Sequence, residues 1–235
     1  MTATICTYPM KTAAEKYLPK PFYGSSHVWA MKKLSTLPKE ATVLDIGAGS
    51  GIVGMSLAEA GITNTYAVEP DSAAANECQK YYKEVQPSFE RYQGRTFDAI
   101  VVLDVLEHIA TPEIFFTEAA KLLKPGGTMI VSVPNLYHWS MRFLLLFGLL
   151  EYTDRGLFDK THLQFFSQKR LSTLFACAGI KITERDVSIS PAEFVLPEWF
   201  TKTIFFKCFS ITRLFCARVW KNLGAYQFLV LGVKS

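Results

Sequence analysis

The sequence predicts a doubly wound α/β fold with a mostly parallel sheet, and three observations lead there. The period of the apolar residues switches repeatedly between strand-like and helix-like spacing, as alternating strands and helices require. Residues 97–104 (FDAIVVLD) are apolar or β-branched at nearly every position, which suits a central parallel strand covered on both faces. A cluster of glycines, Gly47, Gly49 and Gly51, separates the first expected strand from the helix that follows it, the place where such sheets take a ligand.

The elements follow in order. Residues 26–37 put Val28, Trp29, Met31, Leu34 and Leu37 near one helical face, with Ser25 or Ser26 as the cap. Residues 41–46 (ATVLDI) read as a buried strand, 52–60 as a helix, 65–69 (TYAVE) as a short strand, and a helix opened by Asp71 runs to about Glu84. After the strand at 97–104, Thr111 and Pro112 start a helix that Pro125-Gly126-Gly127 stops. Residues 128–133 form a strand, 168–178 a helix, 180–189 a strand, and YQFLVLGV the last one. One domain of 235 residues results. It has a helical cap at 1–40, a core at 41–189 with a substrate-side excursion at 134–166, an insertion at 191–222 and a last strand at 225–234.

Composition narrows the function. A chain that is 49% hydrophobic and 20% charged, with 14 Gly and 11 Pro, is neither collagenous nor disordered. Five scattered cysteines (Cys6, Cys78, Cys177, Cys208, Cys216), never in C-x-x-C spacing, fit neither a disulfide framework nor a zinc site and point to a reducing compartment. The first residues lack the pattern of a secretory signal and the longest apolar run, 143–150, is too short to span a bilayer, so a cytoplasmic protein is expected. Six basic residues and no acidic one follow Glu198, whereas the first 198 residues carry 19 basic against 21 acidic. That distribution argues against nucleic acid as a partner and confines the positive excess to one segment.

Glycines after the first strand let the backbone turn sharply and approach a ligand, with the amino end of the next helix favouring an anionic group. Glu69, 20 residues after Gly49, ends the second strand where a carboxylate can hold two ribose hydroxyls. Gly49, Gly51 and Gly54 also satisfy G-x-G-x-x-G, so spacing alone does not separate a nicotinamide dinucleotide from another adenosine cofactor. Asp45, two residues before the first glycine, would repel a pyrophosphate and attract a cationic ligand.

Four motifs in order, VLDIGAGSG, VEP, FDAIVVLDVLEHI and LLKPGGTMIVSVPN, resemble those of the class I S-adenosylmethionine-dependent methyltransferases over about residues 41–189. The LEHI segment and THLQFFSQKRLSTLFACAGI are most similar to the branch of ubiquinone-biosynthesis O-methyltransferases and bacterial methyltransferases of glycan and lipid pathways. The resemblance implies a Rossmann-like sheet of seven strands whose last strand is antiparallel, and S-adenosyl-L-methionine as cofactor. It implies that Asp45, Gly47, Ala48, Gly49 and Gly51 surround the methionine part and that Glu69 binds the ribose with Pro70 near the adenine. Leu103, Asp104 and Val105 would line the opposite side. One departure stands out: the family commonly has an acidic residue after the third strand for the adenine amino group, and none lies between Glu90 and Asp98.

Methyl transfer is an in-line displacement that needs a base only when the acceptor keeps a proton. His162, in the 134–166 excursion, is the first candidate, with Asp159 or Asp154 to orient it; a hydrogen bond that pins the loop is the equal alternative. His138 also faces the substrate side by position, His108 orders the turn after the fourth strand with Glu107, and His27 is structural. No metal site is expected, because neither Glu107 nor His108 has a further ligand at sequence spacing. Three readings stay open: a methyltransferase acting on oxygen of a small-molecule, glycan-linked or lipid-linked acceptor, a nicotinamide-dependent oxidoreductase, and a noncatalytic binding protein. As a helix, 199–221 would gather Lys202, Lys207, Arg213, Arg218 and Lys221 on one half and Phe200, Ile204, Phe205, Phe215 and Val219 opposite. Such a segment either meets a membrane surface or packs as a lid on the sheet edge or on a second subunit of a homodimer.

Overall fold

A computed structural model describes residues 22–154, 156–194 and 196–235. The amino-terminal 21 residues, including Cys6 and most of the expected 1–40 cap, lie outside the described residues. Seven strands form one sheet in the order β3-β2-β1-β4-β5-β7-β6. In chain order they are β1 (Val43–Ile46), β2 (Thr65–Val68), β3 (Glu84–Gln86), β4 (Phe97–Leu103), β5 (Leu123–Pro134), β6 (Ile180–Ser188) and β7 (Gln227–Lys234). β1 to β5 pair in parallel and β7 is antiparallel to both β5 and β6, as expected. The strand order reverses at β1, between β2 and β4, so a crevice opens at the carboxyl end of β1.

The helices are α1 (Ser26–Leu34), α2 (Ile52–Glu59), α3 (Ser72–Cys78), α4 (Pro112–Lys121), α5 (Trp139–Leu146), α6 (Gln168–Cys177), α7 (Glu198–Thr201), α8 (Ile204–Val219) and α9 (Lys221–Gly224). Ser25 and Asp71 cap α1 and α3 by accepting from Val28 N and Ala74 N. Both faces of the sheet are covered because alternate strand residues feed two cores. Leu44, Ile46, Ile100 and Val102 pack with Phe116 and Phe175 on one face, while Val43, Val101 and Ile130 pack with Trp29, Leu34 and Leu57 on the other.

Two boundaries differ from the sequence reading. Glu84 does not end a helix: α3 stops at Cys78, a single 3-10 turn covers Gln79–Tyr81, and Glu84 opens β3. Pro125-Gly126-Gly127 interrupts no gap between elements but sits in β5, which already pairs Leu123 with Phe97 before its register shifts. The 134–166 excursion holds α5 and a short bridge between Thr153 and Asp159, and the 191–222 insertion holds α7, α8 and the start of α9.

The Phe116 ring lies 4.9 Å from that of Phe175 and is fully buried between α4, α6 and the sheet. Phe116→Ala should therefore cost about 3 to 5 kcal/mol of unfolding free energy, read from a urea titration followed by circular dichroism.

Candidate active site

The glycine loop takes its shape from the end of β2. Gly47 N and Ala48 N both donate to the Val68 carbonyl, and Gly49 N donates to the Glu69 carboxylate at 2.7 Å. The other Glu69 oxygen accepts from Asp71 N at 2.9 Å, so one side chain fixes both the glycine loop and the start of α3. Gly47 has φ +81°, and a Cβ there would lie 2.4 Å from Val105 Cγ2, so the glycine is required both for its conformation and for the approach of β4.

The loop borders a cavity of about 550 Å³. Asp45, Gly47, Ala48, Gly49, Glu69, Pro70, Leu103, Asp104 and Val105 all line it, as the sequence led one to expect. Gly51 is not among its lining residues: it opens α2 at φ +85°, and a Cβ there would lie 2.8 Å from both Cys78 and Tyr81, so its place is in packing. His162 does not line the cavity either, but its ring centroid is 4.9 Å from that of His108, which does. His27, read as structural, also lines it from α1. Ser88, Phe89 and Glu90, just after β3, also line the cavity; Glu90 is thus an acidic residue after the third strand, because β3 ends at Gln86, earlier than a helix running to Glu84 allows.

Asp45 is buried at the end of β1 and accepts a hydrogen bond of 2.5 Å from the Tyr82 hydroxyl, which in turn accepts from Gly54 N. Burial pushes the Asp45 carboxyl up to about 7, Tyr82 holds it back and the nearby Glu69 adds to the rise. Burial and the Asp45 charge push the Tyr82 hydroxyl well above its ordinary range, so it stays a donor. Cys78, beside this pair, is pushed up to about 12 by burial and by both carboxylates, which leaves it an inert thiol.

Across the cavity, Asp104 holds φ +56° at the end of β4, the left-handed region that a side chain seldom adopts. Its carboxylate accepts from Gln227 Nε2 at 2.6 Å and from Ser132 Oγ at 2.6 Å, and its N–H reaches Ser132. Ser188 Oγ donates onward to Gln227 Oε1, so a buried polar chain runs from β6 through β7 to β4.

On the open side, His108 Nδ1 is 3.1 Å from the Thr161 carbonyl and His162 Nδ1 is 3.2 Å from the Leu157 carbonyl. A carbonyl only accepts, so Nδ1 carries the proton in both rings when they are neutral. Burial and then His108 lower the pKa of His162, while Asp159 opposes them. Asp154 pairs with Lys160 at 2.7 Å, and Asp159 folds the loop by accepting from Thr161 N and Oγ1. The orienting partner found on the His162 ring is therefore the Leu157 carbonyl. Ligand atoms of Glu107, His108 and His162 lie within 4.8 Å of one another, so the fold supplies the third group that sequence spacing could not show.

These features fit S-adenosylmethionine. A carboxylate for ribose hydroxyls, a buried acid for a cationic group, and a loop with no room for side chains line one cavity at the switch point. A dinucleotide fits less well: beyond β5 the sheet closes with an antiparallel pair, β7 and β6, and has no second mononucleotide half.

Comparison with known proteins agrees. Residues 29–185 match the methyltransferase domain family. A ubiquinone biosynthesis O-methyltransferase of Rhizobium leguminosarum bv. trifolii is 28% identical over 153 residues, 61% of this chain and 60% of that protein. The match thus spans about 60% of the length of such curated relatives. Among solved structures, an S-adenosylmethionine-dependent methyltransferase from Archaeoglobus fulgidus superposes with a TM-score of 0.61 at 14% identity, covering 90% of this chain and 95% of that one. One from Thermotoga maritima, described as a possible histamine N-methyltransferase, gives 0.56 at 20% identity over 89% and 91%.

Two outcomes test the cofactor site. Glu69→Ala removes the acceptor of the Gly49 N–H and the carboxylate expected to hold the ribose, each charge-assisted bond being worth about 1.5 to 3 kcal/mol, so calorimetric affinity for S-adenosylmethionine should fall at least about tenfold. Because the raised Asp45 pKa lies near 7, affinity should rise as pH increases through that value and the carboxylate ionises, and Asp45→Asn should flatten this dependence. The sign for stability is opposite: a carboxyl raised in the native state favours folding at low pH and loses that contribution as pH rises through about 7, so Asp45→Asn should raise the melting temperature at pH 8. By sequence match, fold and pocket together, the chain belongs to the methyltransferase domain family, with the class I fold that takes S-adenosylmethionine as cofactor.

Proposed function

We propose that this chain transfers the methyl group of S-adenosylmethionine to an oxygen of a small-molecule acceptor, glycan-linked or lipid-linked, with His162 as general base. The observation that carries the reading is the His108–His162 ring pair at the edge of the cofactor cavity, 4.9 Å between centroids. The cofactor supplies an electrophilic methyl group, and the acceptor must lose a proton as its oxygen attacks. His162 keeps its Nδ1 proton on the Leu157 carbonyl, which leaves Nε2 with the lone pair that takes that proton. Burial and His108 both favour the neutral ring, the form a base needs near neutral pH. Glu69 and Asp45 hold the two ends of the cofactor, and Leu103, Asp104 and Val105 wall the side opposite the glycine loop.

Oxygen as the acceptor atom draws support from the curated relatives, which are named ubiquinone biosynthesis O-methyltransferases. No helix among the described residues is long and apolar enough to cross a membrane, so a lipid-linked acceptor would be met from one side of the bilayer.

The test is methyl transfer from radiolabelled S-adenosylmethionine to hydroxylated arenes, glycans and extracted lipids. With an acceptor found, His162→Ala should lower kcat by about 10²- to 10⁴-fold with cofactor affinity unchanged. Equal loss of cofactor binding and of the folded signal would assign His162 to loop structure instead.

A further inference from the structure

Helix α8 is amphipathic in an unusual sense. Phe206, Ser210, Leu214 and Ala217 face the protein, where the helix packs beside β6. Its outward side is also apolar: Ile204, Phe205, Ile211, Phe215 and Val219 are exposed, Phe205 at 78%. At 100° per residue these five occupy an arc of roughly 120° opposite the buried face. Ile204, Phe205, Phe215 and Val219 are the apolar half that the sequence pattern set opposite the basic residues, and it is this half that faces outward. Arg213 turns inward to the Ser190 carbonyl and Arg218 pairs with Asp186, while Lys207 and Lys202 remain on the exposed surface.

This surface lies on the rim that holds the site. Gln227, the first residue of β7, pairs with Pro134 at the carboxyl end of β5, and Asn135 Nδ2 donates to the carbonyls of Asn222 and Ala225 just after α8. Helix α5 starts from the same corner and exposes Phe143, Leu145 and Leu146, with Phe147 exposed just after it. Trp139, Trp199 and Trp220 are also exposed on these segments, at 57%, 75% and 64%.

We propose that α8 docks this rim on the surface of a bilayer that contains anionic lipid. So large an exposed apolar area calls for a cover. Tryptophans with a polar tip suit the interface between headgroups and acyl chains. Charge selects the lipid: Lys202 and Lys207 are exposed on the segment that carries α8, Lys221 follows it, and no acidic side chain occurs in 199–235, so a second copy packed here would set like charge against like, whereas anionic headgroups complement it. At 16 residues α8 lies along the surface rather than crossing it. The inference is independent of which atom is methylated.

Cosedimentation of the full chain with vesicles of phosphatidylcholine, alone and mixed with phosphatidylglycerol, tests it. Binding is expected to the mixed vesicles and to weaken several-fold between about 0.1 M and 1 M salt as the Debye length falls from about 10 to 3 Å. The double variant F205E/F215E should lose binding at least tenfold, with its circular dichroism and cofactor affinity unchanged because both side chains are exposed. K202E/K207E should weaken binding to mixed vesicles alone. Absence of binding to both vesicles, or binding that F205E/F215E leaves intact, overturns the proposal. A dimer in solution that F205E/F215E dissolves, without vesicle binding, assigns the face to a second copy instead.

Discussion

A carboxylic acid buried at the end of the first strand sets the terms for the rest of the site. Ionised Asp45 is costly in that position, and the fold lessens the cost with one short hydrogen bond from Tyr82. That bond has structural consequences. To reach Asp45 the Tyr82 ring crosses over α2, where a Cβ on residue 54 would lie 2.4 Å from it, so the third glycine of the motif exists for the tyrosine. The tyrosine hydroxyl then accepts from Gly54 N in the first turn of α2. A single buried charge therefore couples the end of β1, the start of α2 and the segment before β3. It also leaves a free-energy gain for a ligand that brings a positive group.

The opposite wall shows the same economy of means with another backbone. Asp104 sits in a strained conformation, and strain of about 1 to 3 kcal/mol persists only where neighbours over-determine it. Those neighbours are Ser132 on β5 and Gln227 on β7, the latter fixed by Ser188 on β6. The antiparallel β6–β7 pair thus does more than finish the sheet. It carries the hydrogen bonds that aim the end of β4 at the cofactor cavity, and Ala225 and Tyr226, just before β7, hold Asn135 ahead of α5.

What the sequence made legible is what local pattern encodes. Central strands covered on both faces, the glycine loop and the acid one strand away are short-range signals, and of the residues that the motifs named for the cofactor all but Gly51 line the cavity. Gly51 resembled them by spacing, but a glycine needed for packing and one needed for ligand approach look alike in a sequence. Glu90 was obscured because β3 has three residues and a 3-10 turn before it, too little for any periodicity to place. Tyr82, Gln227 and His27 reach the site from distant elements, and a tyrosine or glutamine in an apolar segment carries no mark of what its polar atom will meet. Helix α8 was legible only in part: the wheel sorted charges correctly but could not tell that Arg213 would turn inward to Ser190 or that Arg218 would pair with Asp186.

The histidine pair follows from how the two loops close on each other. Leu163 N and Gln164 N both donate to the Glu107 carbonyl, and His108 reaches back to Thr161, so the segment after β4 and the 153–164 loop form one hydrogen-bonded unit. Within this unit burial and then the adjacent His108 ring disfavour the charged form of His162. With each Nδ1 committed to a backbone carbonyl, what remains for chemistry is the Nε2 side of each ring. Burial and the neighbouring ring both favour neutral His162, so the loop closure that positions this side chain also sets its charge.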